Sequence, residues 1–387
     1  MESPAFEHKE FEHRLARAQQ AMRAHGLDAI VVTSPHNFRY FTGFDSQFWE
    51  SPTRPWFAIV PGEGSTCIAV VPEIGRPVLA DGWVSDIRSW QAPCPADDGV
   101  SLLAGALQPL ARRFKRIGME MGREMSLRMP LVDFFALRER LAGVELADGT
   151  PCIWELRSIK SDAEVAYLRQ GCQLVSDAFE ALPGYAAVGR TEREICTDLT
   201  IDILRRGAHT VPFVASASGP GGYPQIISRP GARVIRDGDV LIVDVGATVH
   251  GYSTDFDRNY GFGKVPDAAL RAHEVVWQAT EAGIAAAVPG ARACDLHAAM
   301  TRVLEAAGML GNNVGRLGHG LGLQLTEPPS HKPGDETVLR PGMVITIEPG
   351  MEYAPGKMIV HEEDVHITDS GAVLLTRRAP REMPVIG

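Results

Sequence analysis

Six residues able to do metal or acid–base chemistry are spaced along the second half of the chain: Asp244, Asp255, His319, Glu348, and the adjacent pair Glu362 and Glu363. Asp244 and Glu348 close two similar apolar runs. Gly238-Asp239-Val240-Leu241-Ile242-Val243-Asp244-Val245-Gly246 lines up with Gly342-Met343-Val344-Ile345-Thr346-Ile347-Glu348-Pro349-Gly350. Each reads as a buried strand ending in a carboxylate. A lone carboxylate there is costly, so it must be paired, protonated or bound to a cation. His250-Gly251 reads as a turn. A hairpin closed between Val249 and His250 sets Asp255 directly across from Asp244 on one face, where like charges repel unless a cation lies between them. Glu348 is followed by a second turn at Ala354-Pro355-Gly356, and the returning strand carries Glu362 and Glu363. Between the two units lies Gly318-His319-Gly320-Leu321-Gly322, whose glycines permit close backbone approach and whose histidine offers a nitrogen ligand.

Singly, each residue has an ordinary reading: a strand-end cap, a turn histidine, a solvated edge. Jointly, four carboxylates and one imidazole suit two divalent metals. Oxygen-rich sets with one nitrogen suit Mn, Co, Fe or Zn, and geometry and availability decide among them.

The elements that must position these residues are also duplicated. Gly189, Ile195, Leu199, Thr200, Ile203 and Gly207 match Gly290, Leu296, Met300, Thr301, Leu304 and Gly308 at a constant offset. Two matches in the same order predict two similar halves about a pseudo-two-fold axis. A boundary at Gly149-Thr150-Pro151 separates residues 151–387 from a first domain, residues 1–150. That first domain alternates helix and strand: a helix over Phe11–His25, then strands at Ala29–Val32, Trp56–Val60 and Thr66–Val71. Ser161 and Glu164 form a capping-box pattern before the next helix.

Composition bounds the function class. The 387 residues hold 38 Lys+Arg against 48 Asp+Glu, a net charge of −10, with 45% apolar residues. This is globular composition and a poor match to nucleic acid or anionic membrane. No apolar run approaches the ~18 residues a membrane helix needs. The six cysteines lack CxxC spacing, and Met1–Arg14 has no apolar signal region, so a cytoplasmic location is expected.

At these residues the chain resembles the pita-bread metallopeptidase family, in its prolidase, aminopeptidase P and creatinase branch. The motifs are Asp244-Val245-Gly246, Gly251-Tyr252-Ser253-Thr254-Asp255-Phe256-Asp257-Arg258, Gly318-His319-Gly320-Leu321-Gly322, Ile347-Glu348-Pro349-Gly350 and Glu362-Glu363-Asp364-Val365. Asp28-Ala29 and Tyr40-Phe41-Thr42-Gly43 resemble the N-terminal domain of that branch. The resemblance implies a small α/β N-terminal domain followed by an α+β pita-bread catalytic domain. It implies Asp244, Asp255, His319, Glu348 and Glu362 as ligands of two divalent metals, with Glu362 preferred over Glu363 and Glu348 also the general base. It further implies hydrolysis of a C–N amide bond, with X-Pro dipeptides or short peptides as substrates, and a homodimer. Trp49 and Trp56, read as exposed, fit a dimer contact.

Two family histidines are replaced. Seven residues after His319 stands Thr326, and Gln225 follows Ser218-Gly219-Pro220. Both are candidate substrate-binding residues, able to hydrogen-bond but not to titrate near pH 7. His331 and His361 read as surface or strand histidines. Arg229 and Arg54 are candidates for a substrate carboxylate. Three alternatives stand beside the peptidase reading. They are an amidohydrolase or lyase acting on a small non-peptide metabolite, a non-catalytic binding module, and metal-free catalysis.

Overall fold

Short apolar runs separated by helical periodicity produce a mixed sheet in the first part of the chain. The computed structural model describes residues 6–50, 55–312 and 314–387. The chain divides into two compact units, Met1–Arg157 and Ser158–Gly387. In the first unit, α1 (His8–His25) ends at Gly26, which takes the left-handed conformation that a β-carbon disfavours. Then come β1 (Ala29–Val32), α2 (Pro35–Thr42), β2 (Phe57–Pro61), β3 (Ile68–Pro72), α3 (Arg76–Ala80), β4 (Asp86–Trp90), α4 (Val100–Leu107), β5 (Arg116–Met119), α5 (Leu131–Arg140), β6 (Glu145–Asp148) and α6 (Thr150–Arg157). The sheet order is β4-β3-β2-β1-β5-β6, and wholly buried β1 pairs antiparallel with β2 and parallel with β5. Residue 150, the sequence boundary, begins α6, which packs on α1 within this unit. Trp49 and Trp56 are not exposed. They lie 8% and 3% accessible in an aromatic cluster with Phe38 and Phe44, so the unit buries them itself. Arg54 lies outside the described residues.

The second unit repeats a pattern of two helices and a strand hairpin. The first copy is α7 (Asp162–Ala181), α8 (Glu192–Arg206), β7 (Thr210–Pro220), β8 (Asp239–Val249), β9 (Tyr252–Ser253) and β10 (Phe256–Phe262). The second is α9 (Asp267–Ala286), α10 (Ala293–Ala306), β11 (His319–Gly320), β12 (Glu327–Ser330), β13 (Val344–Ile347), β14 (Gly350–Ala354), β15 (Lys357–Val360) and β16 (Glu363–Thr368), followed by β17 (Gly371–Leu374) and β18 (Val385–Ile386). Ser161 and Glu164 form the predicted capping box. One sheet runs β18-β10-β8-β7 with β9 on β8, the other β12-β11-β13-β16-β17, and β14 pairs β15. Leu296, Met300 and Leu304 of α10 and Val276 and Ala279 of α9 share one core with Ile345 and Ile347 of β13. Burying each large aliphatic contributes about 1.5–3 kcal/mol.

The first hairpin differs from expectation by one residue. Its register pairs Thr248 with Ser253, Val245 with Phe256 and Asp244 with Asp257. His250 and Gly251 both adopt positive φ, 47° and 79°, so they are the two turn residues and the strands close one position later than expected. Asp257, not Asp255, faces Asp244. Asp255 sits in the break between β9 and β10.

Candidate metal centre

The acids converge where each long hairpin interrupts its own ladder. In the second hairpin Ile347 pairs with Glu363 and Gly350 with Val360, so the unbroken register sets Glu348 across from Glu362 at the gap. Cross-ties hold the two hairpins together. Arg258 of β10 donates to the Glu362 carbonyl at 3.1 Å and pairs with Glu363 at 3.0 Å. Asn259 donates to the Val360 carbonyl at 2.6 Å, and the Tyr223 hydroxyl takes the Val360 N–H at 2.7 Å.

His319 enters between close backbones. A β-carbon on Gly318 would meet the Thr346 carbonyl oxygen at 2.3 Å, and one on Gly320 the Pro328 carbonyl oxygen at 2.1 Å, so neither position tolerates a side chain. The His319 Nδ1 lies 2.8 Å from the Gly320 carbonyl, which fixes the proton there and leaves Nε2 turned to Asp255, 3.3 Å away. Asp255, His319 and Glu362 offer ligand atoms within 4.8 Å of one another, all buried. Asp244 and Glu348 lie outside that tight triangle, yet their charges act on Glu362.

Electrostatics identify what the cluster lacks. Burial, then the charges of Asp255, Asp257 and Glu348, holds the Asp244 carboxyl well above the usual carboxylate range. Burial, then Glu348 and Asp255, does the same to Glu362. Burial pushes Glu348 up to about 7, with Asp255 adding to it and His319 and Arg316 opposing it. Burial works against protonation of His319, but the hydrogen bond and charge of Asp255 win and raise its pKa. Asp244 Oδ1, Asp257 Oδ1, Glu362 Oε1 and Asp364 Oδ1 are buried without a hydrogen-bond partner. Hard oxygen donors plus one imidazole, buried and unsatisfied, fit divalent cations.

Glu362 and Glu363 have opposite surroundings. Glu363 is satisfied by Arg258, by Arg378 at 3.0 Å, by the Ala379 N–H at 2.9 Å and by the Thr376 hydroxyl. Glu362 keeps an unpartnered oxygen in the cluster. Asp364 accepts the Asp255 N–H at 3.1 Å and the Cys172 thiol at 3.3 Å.

The residues expected to face substrate have the following surroundings. Half-buried Thr326 accepts a 3.4 Å hydrogen bond from Arg316. Gln225 spends its carbonyl on the Ile227 and Ser228 N–H groups at 2.8 Å, shaping its own turn. Arg229 is exposed. His331 and His361 are not surface residues: both are fully buried. His361 contacts Thr280 and Arg378, and neither ring nitrogen of His331 has a partner. Burial, then the charge of His319, lowers His331 to about 3. Sequence reasoning gave no role to Asp257 or Arg316, whose charges act on this cluster. The first was visible as an Asp-x-Asp spacing in a strand; the second carried no signal beyond lying three residues before His319.

The sequence model of metallopeptidase family M24 matches residues 166–369, and that of the creatinase/prolidase N-terminal domain matches residues 14–159. A probable dipeptidase PepE of Mycobacterium tuberculosis is 28% identical, over 100% of this chain and 99% of its own length. The crystal structure of dipeptidase PepE from Mycobacterium ulcerans superposes with a TM-score of 0.85 at 28% identity, covering 98% of this chain and 99% of that one. A recombinant prolidase from Thermococcus sibiricus gives 0.84 at 28% identity, covering 97% and 99%.

Proposed function

The chain belongs to metallopeptidase family M24, and from that premise we propose that it hydrolyses X-Pro dipeptides or short peptides with proline second. The α/β N-terminal domain and pita-bread catalytic domain follow from the same matches. The observation that carries the proposal is the set of buried, unpartnered carboxylate oxygens around His319, in a chain matching dipeptidases over its full length.

Asp244, Asp255, His319, Glu348 and Glu362 would hold two divalent ions, Mn first among them. Such ions make water acidic enough to ionise near neutral pH and polarise a carbonyl. Glu348 takes the proton of the attacking water and delivers it to the leaving nitrogen. His319, oriented through Gly320, keeps Nε2 directed at the acids. The Thr326 hydroxyl donates to the developing oxyanion. Gln225, its carbonyl spent, has its amide N–H2 to offer substrate. Arg316, close enough for its charge to act on Asp255, Glu348 and His319, pairs with a substrate carboxylate. None of the helices, among the described residues, is long and apolar enough to cross a membrane. The proposal includes a cytoplasmic homodimer, which light scattering checks as a mass twice the 41.9 kDa of the chain.

The test is a panel assay of metal-free protein reconstituted with Mn. Metal-dependent cleavage of X-Pro dipeptides over other dipeptides supports the proposal. A second reading, an amidohydrolase or lyase on a small non-peptide metabolite, is favoured by one observation: Thr326 and Gln225 occupy positions that usually carry histidine. Turnover of small amides with inert dipeptides would establish it, and Thr326→His should then lower activity rather than raise it.

A further inference from the structure

The family resemblance supplies five ligands, yet a sixth buried acid points at the same place. Asp257 is 1% accessible and is the direct ladder partner of Asp244 across β8 and β10. Directly opposed residues on an antiparallel pair project to the same face, with β-carbons about 4.5–5.5 Å apart. Its carboxylate lies near enough to the backbone N–H of Glu362, on the second hairpin, for that group to favour its charged form. Its Oδ1 is buried with no hydrogen-bond partner. The nearest cation in sequence, Arg258, is already committed to Glu363, to the Glu362 carbonyl and to the Arg377 carbonyl. Two carboxylates facing each other in a dry strand pair repel unless a cation separates them.

We propose that Asp257 is a further oxygen ligand of the divalent-metal centre, reaching the ion that Asp244 holds. The inference rests on reading this cluster as a metal site; it does not depend on the substrate. Its consequence is a centre richer in carboxylate oxygen than the five-ligand set. Oxygen-rich sites suit hard ions that accept six ligands, so Asp257 biases the centre toward Mn and away from four-coordinate Zn.

The experiment is a calorimetric titration of metal-free, full-length wild type and Asp257→Asn with MnCl2 and with ZnCl2. Asparagine keeps an acceptor for the Glu362 N–H, and thermal melts report whether the fold survives. The expected result is Mn affinity weakened about 10- to 100-fold at one of the sites, with Zn affinity changed less. Unchanged Mn affinity in a folded Asp257→Asn protein overturns the proposal. Should the variant not fold, anomalous-scattering maps of Mn-soaked wild-type crystals decide. A carboxylate oxygen of Asp257 at coordination distance supports the proposal, and one beyond about 3 Å from every Mn overturns it. Failure of the peptidase reading is a separate outcome: X-Pro dipeptides stay intact while Mn binding still depends on Asp257.

Discussion

Two buried acidic sites, one in each unit, show what a carboxylate needs to stay in a protein core. Glu120, at the end of β5 in the first unit, is 1% accessible. Its Oε2 accepts the Thr33 N–H and hydroxyl at 2.6 Å each and the Ser34 N–H at 3.0 Å. Its Oε1 accepts the Ser34 hydroxyl at 2.5 Å and the Asn37 amide at 2.6 Å. The protein itself supplies every donor that this charge requires. In the second unit, Asp244, Asp257, Glu362 and Asp364 each retain a buried oxygen with no donor. The first pattern knits a loop to a sheet. The second is stable as charge only with cations bound, because unpaired buried charge costs several kcal/mol. The same contrast recurs between adjacent residues: Glu363 is saturated by Arg258 and Arg378, and Glu362 is not.

The largest expected effect tests the chemical end of that contrast. Glu348→Gln should lower kcat by about 10²–10⁴-fold with a smaller change in KM, as for a lost general base. A variant with ordinary kcat would place the proton transfer elsewhere. Next, Glu363→Gln should destabilise the second unit by about 3 kcal/mol in urea unfolding, since it removes the carboxylate partner of the buried Arg258 guanidinium. Glu362→Gln should leave the metal-free protein at least as stable as wild type while weakening metal binding. Equal losses from both would erase the distinction between them.

The sign of the pH dependence sharpens it further. Burial raises the Glu348 carboxyl from 4.5 to about 7 in the metal-free protein. A raised carboxyl binds more protons folded than unfolded, so its contribution is present below pH 4.5 and is lost as pH rises through about 7. Glu348 alone should therefore account for a loss on the order of 3 kcal/mol across that window, read as the difference between metal-free wild type and Glu348→Gln, because buried neutral histidines such as His331 act with the opposite sign. Thermal melts of both metal-free proteins at pH 4.5, 6 and 7.5 check this. A Glu348→Gln protein whose stability follows pH as the metal-free wild type does would contradict it. Smallest, Glu120→Gln should cost about 1.5–3 kcal/mol of stability, the worth of a charged hydrogen bond, with no change in metal binding.

Much of the site was legible because apolar strands ending in acids occur twice and because glycines flank His319. Those signals are local and period-based, and the glycines proved sterically required. What was not legible depended on a single residue of register. Closing the hairpin between Val249 and His250, rather than between His250 and Gly251, moved Asp257 out of view and set Asp255 in its place. Strand alternation could not separate Glu362 from Glu363, because the ladder breaks between Val360 and Glu363. Trp49 and Trp56 were read as exposed, and His331 and His361 as surface or strand histidines, because composition says nothing about which tertiary neighbours cover a loop.

Elemental analysis of chelator-free protein reconstituted with Mn, measured beside X-Pro dipeptide turnover, tests the account most directly. The account predicts about two Mn ions per chain, activity that disappears with their removal and returns with their replacement, and reduced stoichiometry in Asp255→Asn and Glu362→Gln. Full activity in protein holding no metal would contradict it.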